Sequence, residues 1–423
     1  MKNVVEVREH DCITRNSFSN PKTFDELRDF LLSYVQTSSD ENITSLLEYR
    51  YKRNVGMIMK VKNYVGVIEL KSGTQLQILP KITQSGEEDK TKQILLKMLR
   101  TLKDFPVKKF ANANLDINKM NLYEIFINMY IQELQELIKY GLNSSYCCIE
   151  DNANYYRGRL NIYRHLKENL VHKERFSIIY DDFSQNNPEN RIIKTTLLKL
   201  SRITNSLENY RIISHLLVYF ENVEASKNAS VDLERITIDK KSIKYSTIIK
   251  WSKIFLNDLS FSTFSGDNIG RALLFPMDKI FESYVAQIIK KQWEGNTFLQ
   301  NKKYYLFDDP KKFLIKPDIV LETADKKYII LDTKWKMLTN DKLNNYGISQ
   351  ADMYQMYVYA KKYKSSNIYL LYPLYDDITD LKNSLKYRSF KSEDNEVNVH
   401  IYFINLEDIN NSIKELLDSI RNN

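Results

Sequence analysis

Three residues near one hairpin carry the side chains best suited to chemistry in this sequence. Asp318 follows Pro317, and Asp332 and Lys334 come after the apolar run Tyr328–Leu331. Alternate side chains of a strand point to one face, so Asp332 and Lys334 should lie together. Two carboxylates suit Mg²⁺, and a neighbouring ammonium can orient a water for phosphodiester hydrolysis. The pattern therefore predicts a Mg²⁺ site with Asp318 and Asp332 as ligands.

An acid followed two positions later by a lysine predicts little by itself, because the chain contains several such triplets. The decoys are Glu69-Leu70-Lys71, Asp239-Lys240-Lys241 and Asp325-Lys326-Lys327. Only Asp332-Thr333-Lys334 combines an apolar strand with a Pro-Asp pair on the strand before it. Two aspartates buried on apolar strands without a cation would be costly. On spacing alone, an exposed ion pair on an ordinary hairpin remains an open alternative, although such pairs stabilise little.

Helix and strand patterns surround this hairpin. Apolar residues at helical spacing predict helices over about Pro276 to Trp293 and Gly347 to Tyr363. Five strands are expected, with the sequences YYLF, FLIKPDIVLE, KYIILDTKW, NIYLLYP and VNVHIYFI. The two strands that carry the aspartates should pair antiparallel across a short polar turn. A mixed sheet flanked by helices is the expected architecture here.

The rest of the chain divides into two further segments, which gives an α+β or α/β multidomain protein. The first segment, 1–146, should contain a capped helix from Thr23 to Val35, then strands, then helices over Thr91–Leu102 and Asn121–Tyr140. Residues 147–262 begin with a loop-rich stretch and should then be mainly helical. The Gly- and Ser-containing segment FSTFSGDNIG is the expected linker to the third domain, 263–423.

Composition sets broad limits. Apolar residues make up 43% of the 423 residues and charged residues 27%, which favours a folded chain over a disordered one. The net charge of +8 suits a polyanionic partner but equally a lysine-rich surface. Three cysteines form no metal-binding pair, and no apolar run resembles a signal peptide or membrane span. A cytoplasmic protein without a membrane association is therefore expected.

Pro317-Asp318 followed by Asp332-Thr333-Lys334 resembles the signature of the PD-(D/E)xK nucleases. The resemblance implies a metal site of Asp318, Asp332 and the backbone carbonyl of Thr333, with Lys334 positioning the attacking water. Glu282, in the preceding helix, matches an auxiliary catalytic acid of many such enzymes. Gln355 and Tyr359 match a Gln-x-x-x-Tyr helix that supports the site in a subset of them. The implied cofactor is Mg²⁺, with Mn²⁺ as an expected substitute.

A wider resemblance covers most of the chain from about Tyr51. The stretch YVGVIELKSGTQLQILPKI, the segment Tyr156–Leu160 and the Asn190-Arg191 pair in YDDFSQNNPENRIIK are similar to the McrC family. McrC proteins are the nuclease subunits of McrBC-type modification-dependent restriction systems. Residues 1–50 and 208–265 show no clear match.

The McrC resemblance implies a subunit that docks on an AAA+ GTPase ring, stimulates it, and cuts double-stranded DNA whose modified cytosine the partner reads. The chain has no phosphate-loop motif, so we expect no nucleotide site on it. The docking element would be the N-terminal domain. A nuclease dimer within the assembly is compatible with double-strand cutting.

Four basic residues are candidates for contacts outside the catalytic group. Arg157 and Arg159, on either side of Gly158, could contact the partner or a phosphate, although solvated turn arginines are an equal alternative. Lys316 and Lys336 could bind DNA phosphates without reading the sequence.

Two other interpretations stay open. A stand-alone PD-(D/E)xK nuclease would cut without a motor, and a non-catalytic adaptor would activate an NTPase ring with a decayed nuclease fold.

Overall fold

The computed structural model describes residues 4–37, 47–53, 55–82, 87–102, 120–237, 243–256, 270–375, 385–388 and 396–422. Internal contacts divide the chain into two units. The first unit contains residues 1–2 and 120–265, and the second contains residues 3–119 and 266–423. Two stretches of sequence that flank the first unit therefore form the second unit together. The three-domain division stays a prediction, and its linker lies, apart from Gly270, outside the described residues.

The first stretch of the second unit is a mixture of strands and helices. Its strands are β1 (Val4–Arg8), β2 (Cys12–Ile13), β3 (Leu47–Lys52), β4 (Gly56–Val61), β5 (Tyr64–Leu70) and β6 (Gln75–Leu79), and its helices are α1 (Lys22–Thr37) and α2 (Glu88–Leu99). The predicted helices in this region are confirmed as α1 and α2. Strands β2, β4 and β3 form one antiparallel sheet, and β1 pairs parallel to β6 in another.

The first unit combines helices with a small sheet. Its elements are α3 (Leu122–Lys139), β7 (Ser145–Ala153), β8 (Arg159–Leu160), α4 (Ile162–Glu168), β9 (Phe176–Ser184), α5 (Pro188–Ile203), α6 (Leu207–Val218), α7 (Ala229–Arg235) and α8 (Tyr245–Leu256). The helices from α5 onward and α3 match the prediction, but α4 lies in the stretch predicted to be loop-rich, and the sheet, in the order β7-β9-β8, was not predicted. Several side chains of β7 and β9 are exposed, so these strands lack the apolar alternation that marks a half-buried strand.

The second stretch of the second unit carries the hairpin that the sequence analysis singled out. Its strands are β10 (Gly270–Pro276), β11 (Thr297–Leu299), β12 (Tyr304–Asp308), β13 (Lys311–Ile315), β14 (Ile319–Glu322), β15 (Tyr328–Thr333), β16 (Asn367–Pro373), β17 (Lys386–Arg388) and β18 (Asn398–Ile404), and its helices are α9 (Met277–Gln292), α10 (Gln350–Tyr363) and α11 (Ile409–Asn422). Within the described ranges, no helix is both long and apolar enough to cross a lipid bilayer.

Strand β10 joins the two stretches of the second unit. It pairs antiparallel to β5 from Gly270–Leu70 to Pro276–Tyr64, which completes a sheet in the order β1-β6-β5-β10. Gly66 lies at the closest approach, because a Cβ atom there would be 1.9 Å from the carbonyl oxygen of Leu273. The backbone of Gly66, with a φ of +138°, also disfavours a larger residue.

Six strands form the sheet that positions the candidate site, in the order β11-β14-β15-β16-β18-β17. Strands β14 and β15 pair antiparallel, with Ile319 opposite Leu331, as predicted. Strand β16 then pairs parallel to both β15 and β18. Helix α10 buries Met356 and Ala360 in the core with β-strand residues such as Ile330.

The prediction of a single strand FLIKPDIVLE is wrong. The structure has two strands there, β13 and β14, which end and begin on either side of Lys316-Pro317-Asp318. Strand β13 pairs with β12 in a separate two-stranded sheet, and β14 joins the six-stranded sheet. Proline lacks a backbone N–H and restricts the residue before it, so Pro317 interrupts the pairing. The break places Asp318 at the start of β14.

Candidate active site

Asp332 and Lys334 lie at the end of β15, against the start of β14. Asp332 is 2% exposed, and the Nζ atom of Lys334 lies 2.5 Å from its Oδ2 atom. The backbone N–H of Lys334 donates to the carbonyl of Leu371, which ties the end of β15 to β16. The predicted proximity of these two side chains is therefore present in the structure.

Asp318 is held against the same strand end by Thr333. The backbone N–H and the hydroxyl of Thr333 both donate to Oδ2 of Asp318, at 2.8 and 2.7 Å. Thr333 lies between Asp332 and Lys334 in sequence, so these bonds fix Asp318 beside them. Two donors on one carboxylate oxygen orient the group and leave its second oxygen for other partners.

Burial raises the pKa values of both aspartates, and repulsion adds to the shift of Asp332. Burial raises the pKa of Asp332 to about 7, with a further contribution from the charge of Asp318, although Lys334 acts in the opposite direction. Burial also raises the pKa of Asp318, against the two Thr333 bonds and the nearby lysine charges. Burial alone would lower the pKa of Lys334, but the Asp332 and Asp318 carboxylates outweigh it and raise that pKa. The lysine is therefore held in its charged form.

A chain of hydrogen bonds connects Lys334 to the backbone just before Asp318. The Nζ atom of Lys334 donates to Oε1 of Gln355 at 3.0 Å, and Nε2 of Gln355 donates to the Tyr359 hydroxyl at 2.9 Å. That hydroxyl donates in turn to the carbonyl of Lys316 at 3.2 Å. Gln355 and Tyr359 share one face of α10, so helical spacing places both toward the site.

Glu282 on α9 is half-buried and interacts with this acidic group. Burial, followed by the charge of Asp318, raises its pKa. The Nε2 atom of Gln300 donates to Oε1 of Glu282 at 2.7 Å, which opposes that shift. The backbone N–H of Gln300 also donates to the carbonyl of Asp318 at 2.8 Å. Gln300 therefore links Glu282 to Asp318.

Gln300 was not predicted, and nothing in the sequence marks it. It follows β11 in a left-handed conformation, with a φ of +46°, where a polar residue in a lysine-rich loop carries no motif. Glu9 was missed for a similar reason. It is 1% exposed and accepts from the indole N–H of Trp335, at 3.1 Å to each oxygen. Trp335 directly follows Lys334.

The two lysines predicted to contact DNA phosphates have different surroundings. Lys316 is exposed at the end of β13, and its charge lowers the pKa values of Glu282 and Asp318. Lys336 donates to Asp352 at 2.6 Å and to Ser349 at 3.4 Å, at the start of α10. Both phosphate contacts stay predictions. Lys336 would have to bind a phosphate while it pairs with Asp352.

Arg157 and Arg159 belong to the other unit and are described with it. Arg157 lies 4.4 Å from the ring centroid of Tyr180 and pairs with Asp182 at 3.3 Å. Arg159 is exposed in β8. Gly158 between them has a φ of +70°, and a Cβ there would lie 2.3 Å from the carbonyl oxygen of Ile179. The contacts expected of these arginines stay predictions.

The donor set around Asp318 and Asp332 suits a hard divalent cation. In the part of the chain that the structure describes, no group of three or more His, Cys, Asp or Glu side chains lies close enough to form a full metal cage. Mg²⁺ needs no such cage, because it usually takes one or two protein carboxylates and keeps several waters. Two mutually repelling, buried carboxylates beside Thr333 fit that requirement.

The family model for the McrBC 5-methylcytosine restriction system component matches residues 59–373. The match extends over well more than half of the sequence, and no curated protein matches it. The chain belongs to this family of restriction-system components. The resemblance to McrC noted in the sequence is therefore confirmed.

The chain shares its fold with a chain of one solved structure. A structure of Thermococcus gammatolerans McrB AAA+ hexamers with bound McrC contains a chain that is 18% identical, with a TM-score of 0.70. The match covers 99% of this chain and 100% of that one. A cryo-EM structure of the T. gammatolerans McrBC complex gives 19% identity and a TM-score of 0.49, over 68% of this chain and 88% of that one.

Proposed function

We propose that this chain is the DNA-cleaving subunit of a modification-dependent restriction complex, with a PD-(D/E)xK nuclease fold in its C-terminal part. The observation that carries the proposal is the cluster of Asp318, Asp332 and Lys334 at the junction of β14 and β15. It occurs in a chain of the McrBC family, whose restriction role involves DNA. The proposed reaction is Mg²⁺-dependent hydrolysis of DNA phosphodiester bonds, with Mn²⁺ as a substitute.

Each residue of the site has a separate role in the proposed reaction. Asp318, held by Thr333, and Asp332 would bind Mg²⁺ together with the Thr333 carbonyl. When bound, Mg²⁺ supplies positive charge that stabilises the phosphate and makes a nearby water more acidic. Lys334 keeps its proton because its pKa is raised, so it acts as a donor that orients water and offsets negative charge. Gln355 and Tyr359 hold Lys334 in place, and Glu282 serves as an auxiliary acid.

The partner in this proposal is an AAA+ GTPase ring that reads modified cytosine and that the chain stimulates. Support comes from the similar chain bound to McrB AAA+ hexamers, which matches over the whole length of both chains. The first unit offers a surface for such a partner. It exposes large apolar side chains on β7, α4, the following loop and β9, and we call these residues the apolar patch: Tyr146 (75% exposed), Ile162 (65%), Tyr163 (79%), Leu170 (71%), Val171 (86%) and Phe183 (62%).

An exposed apolar surface of this kind marks an interaction site more often than an ordinary protein surface. The rings of Tyr146 and Phe183 lie 5.1 Å apart near one end of β9, and α4 lies near its other end. Apart from Tyr146, the apolar patch lies after residue 146, in the segment predicted to be mainly helical and not in the N-terminal domain that was expected to dock. We therefore propose that ring docking uses the first unit.

The decisive experiment compares Asp332→Asn with Asp325→Asn in the reconstituted complex with its ring partner, GTP, Mg²⁺ and methylated DNA. Asp325 belongs to a decoy triplet and is exposed in the turn before β15. We expect Asp332→Asn to lower the cleavage rate by about 100-fold or more, because the site loses a charged ligand. Asp325→Asn should cut at the wild-type rate, and both variants should stimulate GTP hydrolysis.

Other outcomes would favour other functions. Equal cutting by both variants would remove the catalytic assignment. Cutting by the isolated chain at the rate of the complex would favour a stand-alone nuclease. Stimulation of GTP hydrolysis by the wild-type chain without any DNA cleavage would favour a non-catalytic adaptor.

A further inference from the structure

Strands β12 and β13 form a hairpin that is separate from the six-stranded sheet but joined to the candidate site at both ends. The two strands pair only with each other among the described strands, with Tyr304 opposite Ile315 and Asp308 opposite Lys311. Before the hairpin, Gln300 bonds the Asp318 backbone and Glu282. After it, the chain passes directly through Lys316 and Pro317 to Asp318.

The base of the hairpin is packed, and its outer part is not. The ring of Tyr304 meets that of Tyr363 on α10 edge-to-face at 4.7 Å, and Ile315 is 5% exposed. Further out, Phe307 is 55% exposed and Phe313 is 72% exposed, with their ring centroids 6.0 Å apart. Phe313 also has a φ of +58°, a conformation that a bulky residue rarely adopts. The packed base therefore holds two solvent-facing rings in the outer part of a hairpin whose ends join the site.

The hairpin and the residues at its two ends carry a net positive charge, although the tip between the two rings holds two lysines and two aspartates. Residues 302–316 contain five lysines and two aspartates, a net charge of +3. All five lysines are exposed, and they are Lys302, Lys303, Lys311, Lys312 and Lys316. A protein partner rich in apolar groups would match the rings but not this charge. DNA matches both, because its phosphates are outside and its apolar base stack is inside.

We propose that the β12–β13 hairpin is a DNA wedge, in which the lysines bind phosphates and Phe307 and Phe313 insert against the base stack beside the bond to be cut. Apolar side chains that enter between base steps unstack them and bend the duplex. Unstacking at this position would move the backbone of one strand toward Asp318, Asp332 and Lys334. The inference rests on the proposed nuclease function and adds how the duplex is presented to the site.

The first experiment measures unstacking separately from cleavage. The full-length chain carrying Asp332→Asn, which should not cut, is mixed with a short methylated duplex that contains 2-aminopurine at successive positions. We expect the fluorescence to rise at one position, and we expect Phe307→Ser with Phe313→Ser in the same chain to abolish that rise. Tyr51→Ser is the matched control, because Tyr51 is 77% exposed on β3 of the same unit. An unchanged fluorescence signal in the double variant would overturn the proposal.

The second experiment measures consequences in the complex. With an intact Asp332, the double phenylalanine variant should cleave about tenfold or more slowly, since stacking of a base on an aromatic ring contributes strongly to binding. Lys311→Ala with Lys312→Ala should instead weaken the salt dependence of DNA binding, by a slope of about one per lysine. If the phenylalanine variant no longer bound the AAA+ partner but still unstacked DNA, the hairpin would be assigned to the protein partner and the wedge would be overturned. A wild-type chain that unstacks DNA but never cuts it would refute the nuclease function and leave the wedge intact.

Discussion

The ammonium of Lys334 lies between an acid and an amide, and this arrangement decides its chemical role. Asp332 raises the pKa of Lys334, and Oε1 of Gln355 accepts a hydrogen bond from its ammonium, so the lysine is a fixed donor and a poor base. In the proposed reaction, the activation of water would then come from the cation and the carboxylates. Residues that hold those carboxylates are for this reason as important as the carboxylates themselves.

Gln300 holds one of these carboxylates, that of Glu282, and its substitution gives a specific prediction. Gln300→Met keeps the length of the side chain but removes the N–H that bonds Glu282. Without that donor, the pKa of Glu282 should rise further, and the site should bind its cation less well. We expect about tenfold slower cleavage and a higher Mg²⁺ concentration for half-maximal rate. Direct Mn²⁺ titration of the chain should show the same loss of affinity.

Gln350→Met is the control for this variant, because Gln350 is an exposed glutamine of the same unit that bonds Tyr354 on α10. It should leave both the cleavage rate and the Mn²⁺ affinity unchanged. If Gln300→Met binds Mn²⁺ as tightly as the wild-type chain does, the positioning role of Gln300 is excluded.

At the scale of elements, the predictions from sequence succeeded where the residue pattern of a single segment was enough to identify the helix or strand. Helix α1 was predicted from its apolar face, and the β14–β15 hairpin from two apolar runs around a polar turn. The capping box predicted for α1 is wrong, because Thr23 lies inside the helix and Glu26 accepts from the backbone N–H of Ser72. The single strand FLIKPDIVLE was predicted wrongly, because Pro317 interrupts the pairing. The roles of Gln300 and Glu9 could not be predicted from the sequence, since their partners lie far away in sequence and no local pattern marks either residue.

The apolar patch of the first unit gives an element-scale prediction. Tyr163→Ser with Val171→Ser removes two side chains that are 79% and 86% exposed, so the fold should be unaffected. Burial of each such side chain stabilises a complex by about 1.5 kcal/mol or more, so binding to the ring should weaken by about tenfold or more. Titration of labelled chain with the ring partner measures this effect.

Leu207→Ser, on α6 of the same unit, is the matched control because Leu207 is 75% exposed and lies outside the patch. It should bind the ring as the wild-type chain does. Equal binding by all three proteins would place the docking surface elsewhere on the chain.

At the scale of the whole molecule, Glu9 connects the N-terminal stretch to the end of β15. Burial raises the pKa of Glu9 to about 8. The hydrogen bonds from Trp335 and from the Lys81 backbone lower it by smaller amounts. Glutamate in the unfolded chain has an ordinary pKa near 4.5. Between these two values the folded chain keeps a proton that the unfolded chain releases, so the contribution of Glu9 to stability should be largest below the unfolded pKa and fall as the pH rises toward 8.

The loss amounts to about 1.4 kcal/mol per pH unit between these two values. Glu9→Gln should remove it, because an amide cannot ionise and its oxygen still accepts the Trp335 N–H. Denaturant unfolding at about pH 5 and about pH 8 measures the difference between variant and wild type. Trp335→Phe, which lacks the donor, should extend the loss to higher pH. A wild-type chain and a Glu9→Gln chain with the same pH dependence would contradict the assignment.

The pairing of β10 with β5 has a consequence for how the protein is made. Strand β10 is synthesised some two hundred residues after β5, and residues 120–265 of the first unit lie between them. On the ribosome, the first unit can fold while β5 still has an unpaired edge that invites wrong pairing. Strands β1, β5 and β6 are thus made before β10 but can complete their sheet only after it. Because Glu9 contacts Trp335, the N-terminal stretch and the cleavage site should mature in one late step, and no cutting should precede it.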